Sequence, residues 1–365
     1  MHYIKKNRSL LSILVIAVFG VFLASGCGGD YRKKARGDIG KVYVVMDSTR
    51  QEGPLANALI DVFEARMIGL PSYEPRFTLK FVDFRSKQQL ENLKKLRNIM
   101  FAAPLDEESN VADYIRALLG SGVKQSIRKG ERFSIQLEDK WYRDQWIMIL
   151  SAPDEETLIK NIRESGSALT QELHNKVIER WKNEVYERGE QTALADSIWN
   201  KQGWRIRVQH DYKWHVDTTN FISMRRFLPE NDRWIWGWSK ENVDNIEEIG
   251  REWINQKRDS LMKKFVKGSR DSSYVTTEYR RDIQTQTKRI NGYFTFVTRG
   301  TWRMTNDFMG GPFINYTFFD DETRRIVMVE FGQFAPKYDK RRFVRQFEAM
   351  AHTFRMDSTY SVANR

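Results

Sequence analysis

Cys27 is the only cysteine in the chain, and it closes a leader segment instead of cross-linking a fold. Lys5, Lys6 and Arg8 precede an almost unbroken apolar run from Leu10 to Leu23, and Leu23-Ala24-Ser25-Gly26-Cys27 follows. A charged start, an apolar middle and small residues before a cysteine form the layout of a bacterial lipoprotein signal. The run is too short for a comfortable membrane span, although an uncleaved anchor helix with a chance cysteine is the other reading. Residues 1–26 are therefore expected to be a signal peptide, with Cys27 lipidated at the head of the mature chain. No cysteine then remains for a disulfide. The fold must rest on an ordinary packed core, and the length allows one or two of them.

The formal charge is +12, falling to about +9 without the leader. Outside the cytoplasm such a balance points to anionic envelope surfaces (lipid headgroups, lipopolysaccharide phosphates, acidic glycans) and away from nucleic acid. The plainer reading is that the charge keeps a tethered protein soluble. Gly28 stands where enteric inner-membrane lipoproteins carry Asp, so the outer membrane is expected. A single Asp30 followed by Tyr31-Arg32-Lys33-Lys34 favours its periplasmic face. Residues 27–38 read as a polar tether. Aromatic residues make up 13% of the chain, and all eleven Trp lie between Trp141 and Trp302, which excludes a disordered body.

Periodicity predicts an α+β fold of antiparallel sheets flanked by helices, split into residues 39–200 and 201–365. In the first half, strands at 41–47, 77–84, 98–103, 133–137 and 146–152 alternate with helices at 54–70, 87–96 and 111–119. A charged helical stretch from 154 to 199, interruptible at Gly166 and Gly189, divides the halves. The second half reads as strands at 204–209, 221–228, 233–239, 274–283, 293–304, 313–319 and 326–331, with helices at 246–266 and 339–355. The last helix puts Phe343, Val344, Phe347, Met350, Ala351 and Phe354 on one stripe. Trp146–Ala152 before the Asp154 helix echoes Trp234–Ser239 before the Asn242 helix, so two related sheet-plus-helix halves are one reading.

The stretch Gly300-Thr-Trp302-Arg-Met-Thr-Asn-Asp307-Phe-Met-Gly310-Gly311-Pro312-Phe313 is followed by Ala335-Pro336-x-Tyr-x-Lys340-Arg341 and Gln346-Phe-Glu348-Ala349-Met350. With the lipobox, this text resembles a family of Bacteroidota lipoproteins known only as a domain of unknown function. The resemblance spans most of the mature chain. It implies an address and a phylum, and no activity, cofactor or catalytic residue.

Site signals are sparse. His210 and His215, five apart, point to opposite faces of a strand and lie about 140° apart on a helix, so they make no ready metal pair. His174 and His352 read as packed or hydrogen-bonded. No Gly-x-Ser-x-Gly, His-Glu-x-x-His or phosphate-cradling loop occurs. Gly310-Gly311-Pro312 reads as a hairpin reversal and Asp320-Asp321 as a hairpin tip. Carboxylate pairs are set in three dimensions and leave no spacing signature. Two ligand-binding candidates stand out. Trp234, Trp236 and Trp238 share one strand face, as a stacking platform or as core beneath a helix, with Ile235 and Gly237 on a thinner outer face. Lys337, Lys340, Arg341, Arg342 and Arg345 crowd the start of the last helix, as an anion site or as a solvated face.

The expectation is an outer-membrane lipoprotein facing the periplasm, without cofactor or metal, acting as a non-enzymatic binding or envelope-assembly module. The alternative is an envelope hydrolase acting on glycan or peptide. Cys27→Ala is expected to leave an unprocessed precursor that no longer reaches the outer membrane. Cleavage and fractionation like the parent chain would refute the lipobox.

Overall fold

The computed structural model describes residues 30–270 and 272–359; Cys27 and the leader lie outside them. Two sheet-plus-helix regions make an α+β protein. The first sheet runs in the order β2 (Thr78–Val82), β1 (Lys41–Val45), β3 (Asn98–Ala102), β5 (Trp146–Leu150), β4 (Ser134–Glu138). Its inner pairs are parallel and β4 joins the edge antiparallel, so this sheet is mixed. Parallel strands need crossovers, and helices cover both faces. These are α1 (Pro54–Phe63), α2 (Lys87–Leu93), α3 (Asn110–Leu118), α4 (Ser121–Arg128), α5 (Glu155–Glu164) and α6 (Gly166–Glu184). Local chemistry sets their starts. Pro54 opens α1, while Ser86, Ser109 and Asp154 accept hydrogen bonds from Gln89, Ala112 and Thr157 amides.

After α7 (Thr192–Gln202) and β6 (Trp204–Arg205), the second sheet is built from antiparallel pairs. Its order is β10 (Val275–Thr277), β12 (Tyr293–Met304), β13 (Gly310–Asp320), β14 (Arg325–Phe334), β9 (Asp232–Lys240), β8 (Phe221–Arg226), β7 (Lys213–Asp217). Strand β11 (Gln284–Ile290) pairs with the first half of β12 across an Asn291-Gly292 turn, both residues at positive φ. That turn matches strand twist. Helix α8 (Arg251–Phe265) covers one face, α9 (Arg341–Ala351) packs on the other, and β15 (Arg355–Met356) pairs with β6.

The two regions share one core. Val42, Val44, Met100, Met148 and Leu150 of the first sheet and Ile314, Tyr316, Val329 and Phe331 of the second belong to the same buried cluster. Helices α1, α5, α6 and α9 form the layer between them, through Leu59, Ile162, Leu173 and Phe347. The echo in the sequence maps to β5–α5 and β9–α8, which pair differently: β5 runs parallel to β3, whereas β9 is antiparallel to both neighbours.

Several local expectations are corrected. The segment read as a tether is docked from Lys33 onward: Arg143 N donates to Lys33 O, Ala35 N to Arg143 O, and Arg97 N to Arg36 O. The outer face of β9 is not thin. Ile235 is fully buried, and a Cβ on Gly237 would lie 2.2 Å from the Trp204 ring. Gly310-Gly311-Pro312 makes no turn. It lies within β13, where a Cβ on Gly311 would stand 2.0 Å from the Gln333 carbonyl oxygen. Strand contact, rather than a positive φ, requires that glycine. The last helix is shorter than its stripe, ending at Ala351, and Phe354 stacks on Phe318 beyond it.

Phe347 is fully buried and stacks on Phe331. Phe347→Ala is expected to cost about 3–5 kcal/mol in denaturant unfolding. Gly237→Ala is expected to cost about 1–3 kcal/mol, as overpacking does. An unmoved unfolding midpoint in either variant would contradict this packing.

Candidate functional site: a cationic cleft between the two regions

The tryptophan row is core. Trp236 is fully buried and its indole N–H donates to Glu330 Oε1 at 3.2 Å. Trp238 packs against Trp253 of α8, and half-buried Trp234 meets Trp302 edge-on.

The basic cluster of α9 is split: Lys337 and Arg342 are exposed to solvent, Arg341 is half-buried, Lys340 and Arg345 are buried, and the helix end is not open. Glu74 fills the N-terminus, accepting from Lys340 N at 2.8 Å and from Arg341 N at 2.7 Å. A carboxylate there satisfies free amides and suits the helix dipole. Lys337 pairs with Glu230, and Lys340 Nζ donates to the Tyr338 carbonyl. Arg341 donates to Pro75 O at 2.8 Å and to Thr78 Oγ1 at 3.0 Å, tying α9 to β2.

Arg345 faces a different environment. It is 5% exposed and stands in the wall of a cavity of about 180 Å³ between the two regions. Arg76 enters from the segment before β2, His174 from α6, Gln284, Gln286 and Lys288 from β11, Arg299 from β12 and Glu348 from α9. Alternation in β11 puts its three residues on one face. Glu348 accepts from Arg299 Nη2 at 2.5 Å and from Arg345 Nη1 at 3.0 Å. Burial acts to raise the Glu348 carboxyl pKa, but Arg345 and Arg299 override it and hold the group well below the carboxylate range. Arg345 also donates to His174 Nδ1. Burial first, then the charge of Arg345, pushes His174 down to about 3. The ring is thus neutral at physiological pH, with its proton on Nε2.

Four cations face one carboxylate in this cavity. Among the described residues, the Arg76 guanidinium and the Lys288 ammonium have no hydrogen-bond or ion-pair partner. Burial depresses both pKa values, and Arg345 and Arg299 add repulsion in each case. Glu348 is committed to two arginines and His174 to a third interaction, so neither is a base at neutral pH. What remains is a set of uncommitted cationic donors, which suits binding of an anion.

A second cavity, of about 470 Å³, shares Arg76 and Arg345 with the first. Residues 37–41, Thr78, Arg97, Val177, Trp181, Glu184, Arg341 and Arg342 complete its wall. Arg342 lies over the Trp181 ring, 5.7 Å from its centroid. The structure therefore brings Arg341, Arg342 and Arg345 to the cleft and leaves Lys337 and Lys340 outside it. His210 contacts Arg226, His215 is exposed on β7, and no group of three or more metal-ligating side chains occurs among the described residues.

This arrangement defines an α+β protein with a cationic interdomain cleft. Residues 35–186 match a family model described as Domain of unknown function (DUF8532), and residues 191–353 match Domain of unknown function (DUF4837). The two matched segments meet in the turn after α6. No curated protein matches the chain. The Ran-binding protein Mog1p of Saccharomyces cerevisiae is similar over 42% of this chain and 90% of its own, at 10% identity and TM-score 0.28. A Bacteroides thetaiotaomicron VPI-5482 crystal structure is similar over 42% of this chain and 45% of its own, at 6% identity and TM-score 0.25. Likenesses this slight carry no argument. No helix among the described residues is long and apolar enough to cross a membrane.

The depressed His174 pKa has a sign for stability. Above about pH 6.5 folded and unfolded chains both keep the ring neutral. As pH falls from there towards 3, the unfolded chain takes up a proton that the folded chain refuses, and stability drops. His174→Gln is expected to lose less stability than the parent between about pH 7 and about pH 5 in urea unfolding. Equal losses in both proteins would place His174 in a solvated setting.

Proposed function

We propose that this chain is a membrane-tethered, non-enzymatic binding module whose interdomain cleft takes an anionic group of an envelope component. The lipobox at Cys27 supports the tether, with Gly28 favouring the outer membrane and the residues after Asp30 its periplasmic face. The observation that carries the ligand class is the pair of uncommitted cations. Arg76 and Lys288 are held against Arg299 and Arg345 with one carboxylate among them. Desolvated like charges oppose folding, and an anion in the cavity removes that penalty.

The test is a thermal melt of the full chain in detergent, in sodium phosphate against sodium chloride at matched ionic strength. Phosphate is expected to raise the melting temperature by several degrees, as ligand well above its Kd does. Lys288→Gln is expected to weaken the effect at least about tenfold in phosphate concentration. Identical melts in the two salts would overturn the reading.

A further inference from the structure

The excess charge of the cleft sits in two places, and each place has its own uncommitted cation. In the inner cavity Arg299 and Arg345 are spent on Glu348, which leaves Arg76 and Lys288. In the outer cavity Lys41 pairs with Asp38 at 3.6 Å and Arg97 with Asp144 at 3.5 Å. Arg341 is spent on Pro75 and Thr78. Arg342 is left, exposed at the rim with an indole face beneath it and no hydrogen-bond or ion-pair partner among the described residues, and Glu184 is the remaining acid of this lining. Arg76 and Arg345 border both cavities, so the two spaces are neighbours across a shared wall of cations.

We propose that the cleft takes a compact ligand with two phosphate-type groups, one seated in the inner cavity on Arg76 and Lys288 and the other held by Arg342. This rests on the anion-binding reading above and names the class of ligand. A phosphomonoester offers three terminal oxygens and close to two charges, which suits an arginine fork and an ammonium better than a singly charged carboxylate does. The inner space of about 180 Å³ suits a small group, whereas the outer one of about 470 Å³ falls in the range of small-molecule sites. Ile39, Val177 and Trp181 give the outer cavity an apolar side for a carbon skeleton. A sugar bisphosphate has this anatomy. Joining two anchors makes the second contact intramolecular, so affinity rises without any new kind of interaction.

Calorimetric titration of the full chain with inorganic phosphate, glucose 6-phosphate and fructose 1,6-bisphosphate tests this at one ionic strength. The bisphosphate is expected to bind at least about tenfold more tightly than either monophosphate. Arg342→Ala is expected to bring the bisphosphate down to the monophosphate level while leaving inorganic phosphate unchanged. Lys288→Gln is expected to weaken all three. Neither side chain has a hydrogen-bond or ion-pair partner to lose, and a melt of each variant checks the fold, including the Trp181 contact that Arg342→Ala gives up. A bisphosphate no tighter than the monophosphates would overturn the two-anchor proposal while the anion site stands. So would Arg342→Ala weakening every ligand equally. Failure of all three to bind would remove the anion site itself.

Discussion

Helix α9 is enclosed by the second sheet on one side and by α6 on the other, and much of the structure follows from that enclosure. Its Val344, Phe347, Met350 and Ala351 enter the shared core, but Arg345, Gln346 and Glu348 are buried as well. Buried polar groups must find partners, and these come from distant segments. Glu74 supplies the carboxylate at the N-terminus, Arg299 reaches Glu348, and Arg233 Nη1 donates to Gln346 Oε1 at 2.9 Å. Such pairs add little net stability over apolar packing, because desolvation consumes most of the gain. Their effect is on specificity: if α9 slid by one turn, Glu74 and Glu348 would lose their partners together.

The separate apolar cluster beneath α8, which includes Trp236 and Phe313, shows that this protein can bury charge in balance. Glu330 of β14 accepts from Arg258 Nε at 2.9 Å, from the Trp236 indole at 3.2 Å and from Asn315 Nδ2 at 3.1 Å. Arg258 in turn reaches Asp259 at 3.2 Å and lies 4.0 Å from the Phe313 ring centroid. Acid and base are matched there, since Arg258 meets both Glu330 and Asp259. The cleft breaks that pattern within the same fold. Its surplus of Arg76 and Lys288 is a local departure, and such departures mark sites where stability is given up for binding.

The sequence revealed the parts and concealed the assembly. Continuous apolar runs such as Trp146–Leu150 and Ile326–Val329 gave away strands with both faces buried, and the stripe around Phe347 gave away α9. The tryptophan row was legible as one face, but the shared core behind Ile235 and Gly237 was not, because a two-sided strand needs its partner Trp204 in view. Strand β11 escaped because Gln284-Thr-Gln-Thr-Lys288 carries no apolar alternation. The Asn291-Gly292 pair was its available signal, since such a dipeptide demands a strand on each side. Missing β11 meant missing Lys288. Arg76, His174, Lys288, Arg299 and Glu348 are spread over more than half the chain, and no spacing rule gathers them. Only the α9 residues were close enough in sequence to be noticed as a cluster.

The position of the cleft ties ligand to architecture. Arg76 and His174 belong to the segment matching one domain of unknown function, and Lys288, Arg299, Arg345 and Glu348 to the segment matching the other. The proposed anion would touch both, so its binding energy would add to the cohesion of the two regions. The coupling is reciprocal: whatever holds the regions together pre-forms the site, and whatever loosens them weakens the ligand. Lys33 to Arg36 dock against Arg143, Lys95 and Arg97, while the segment that follows, residues 37–41, lines the outer cavity. The chain leading from the N-terminus is therefore part of the wall of the space that Arg342 lines.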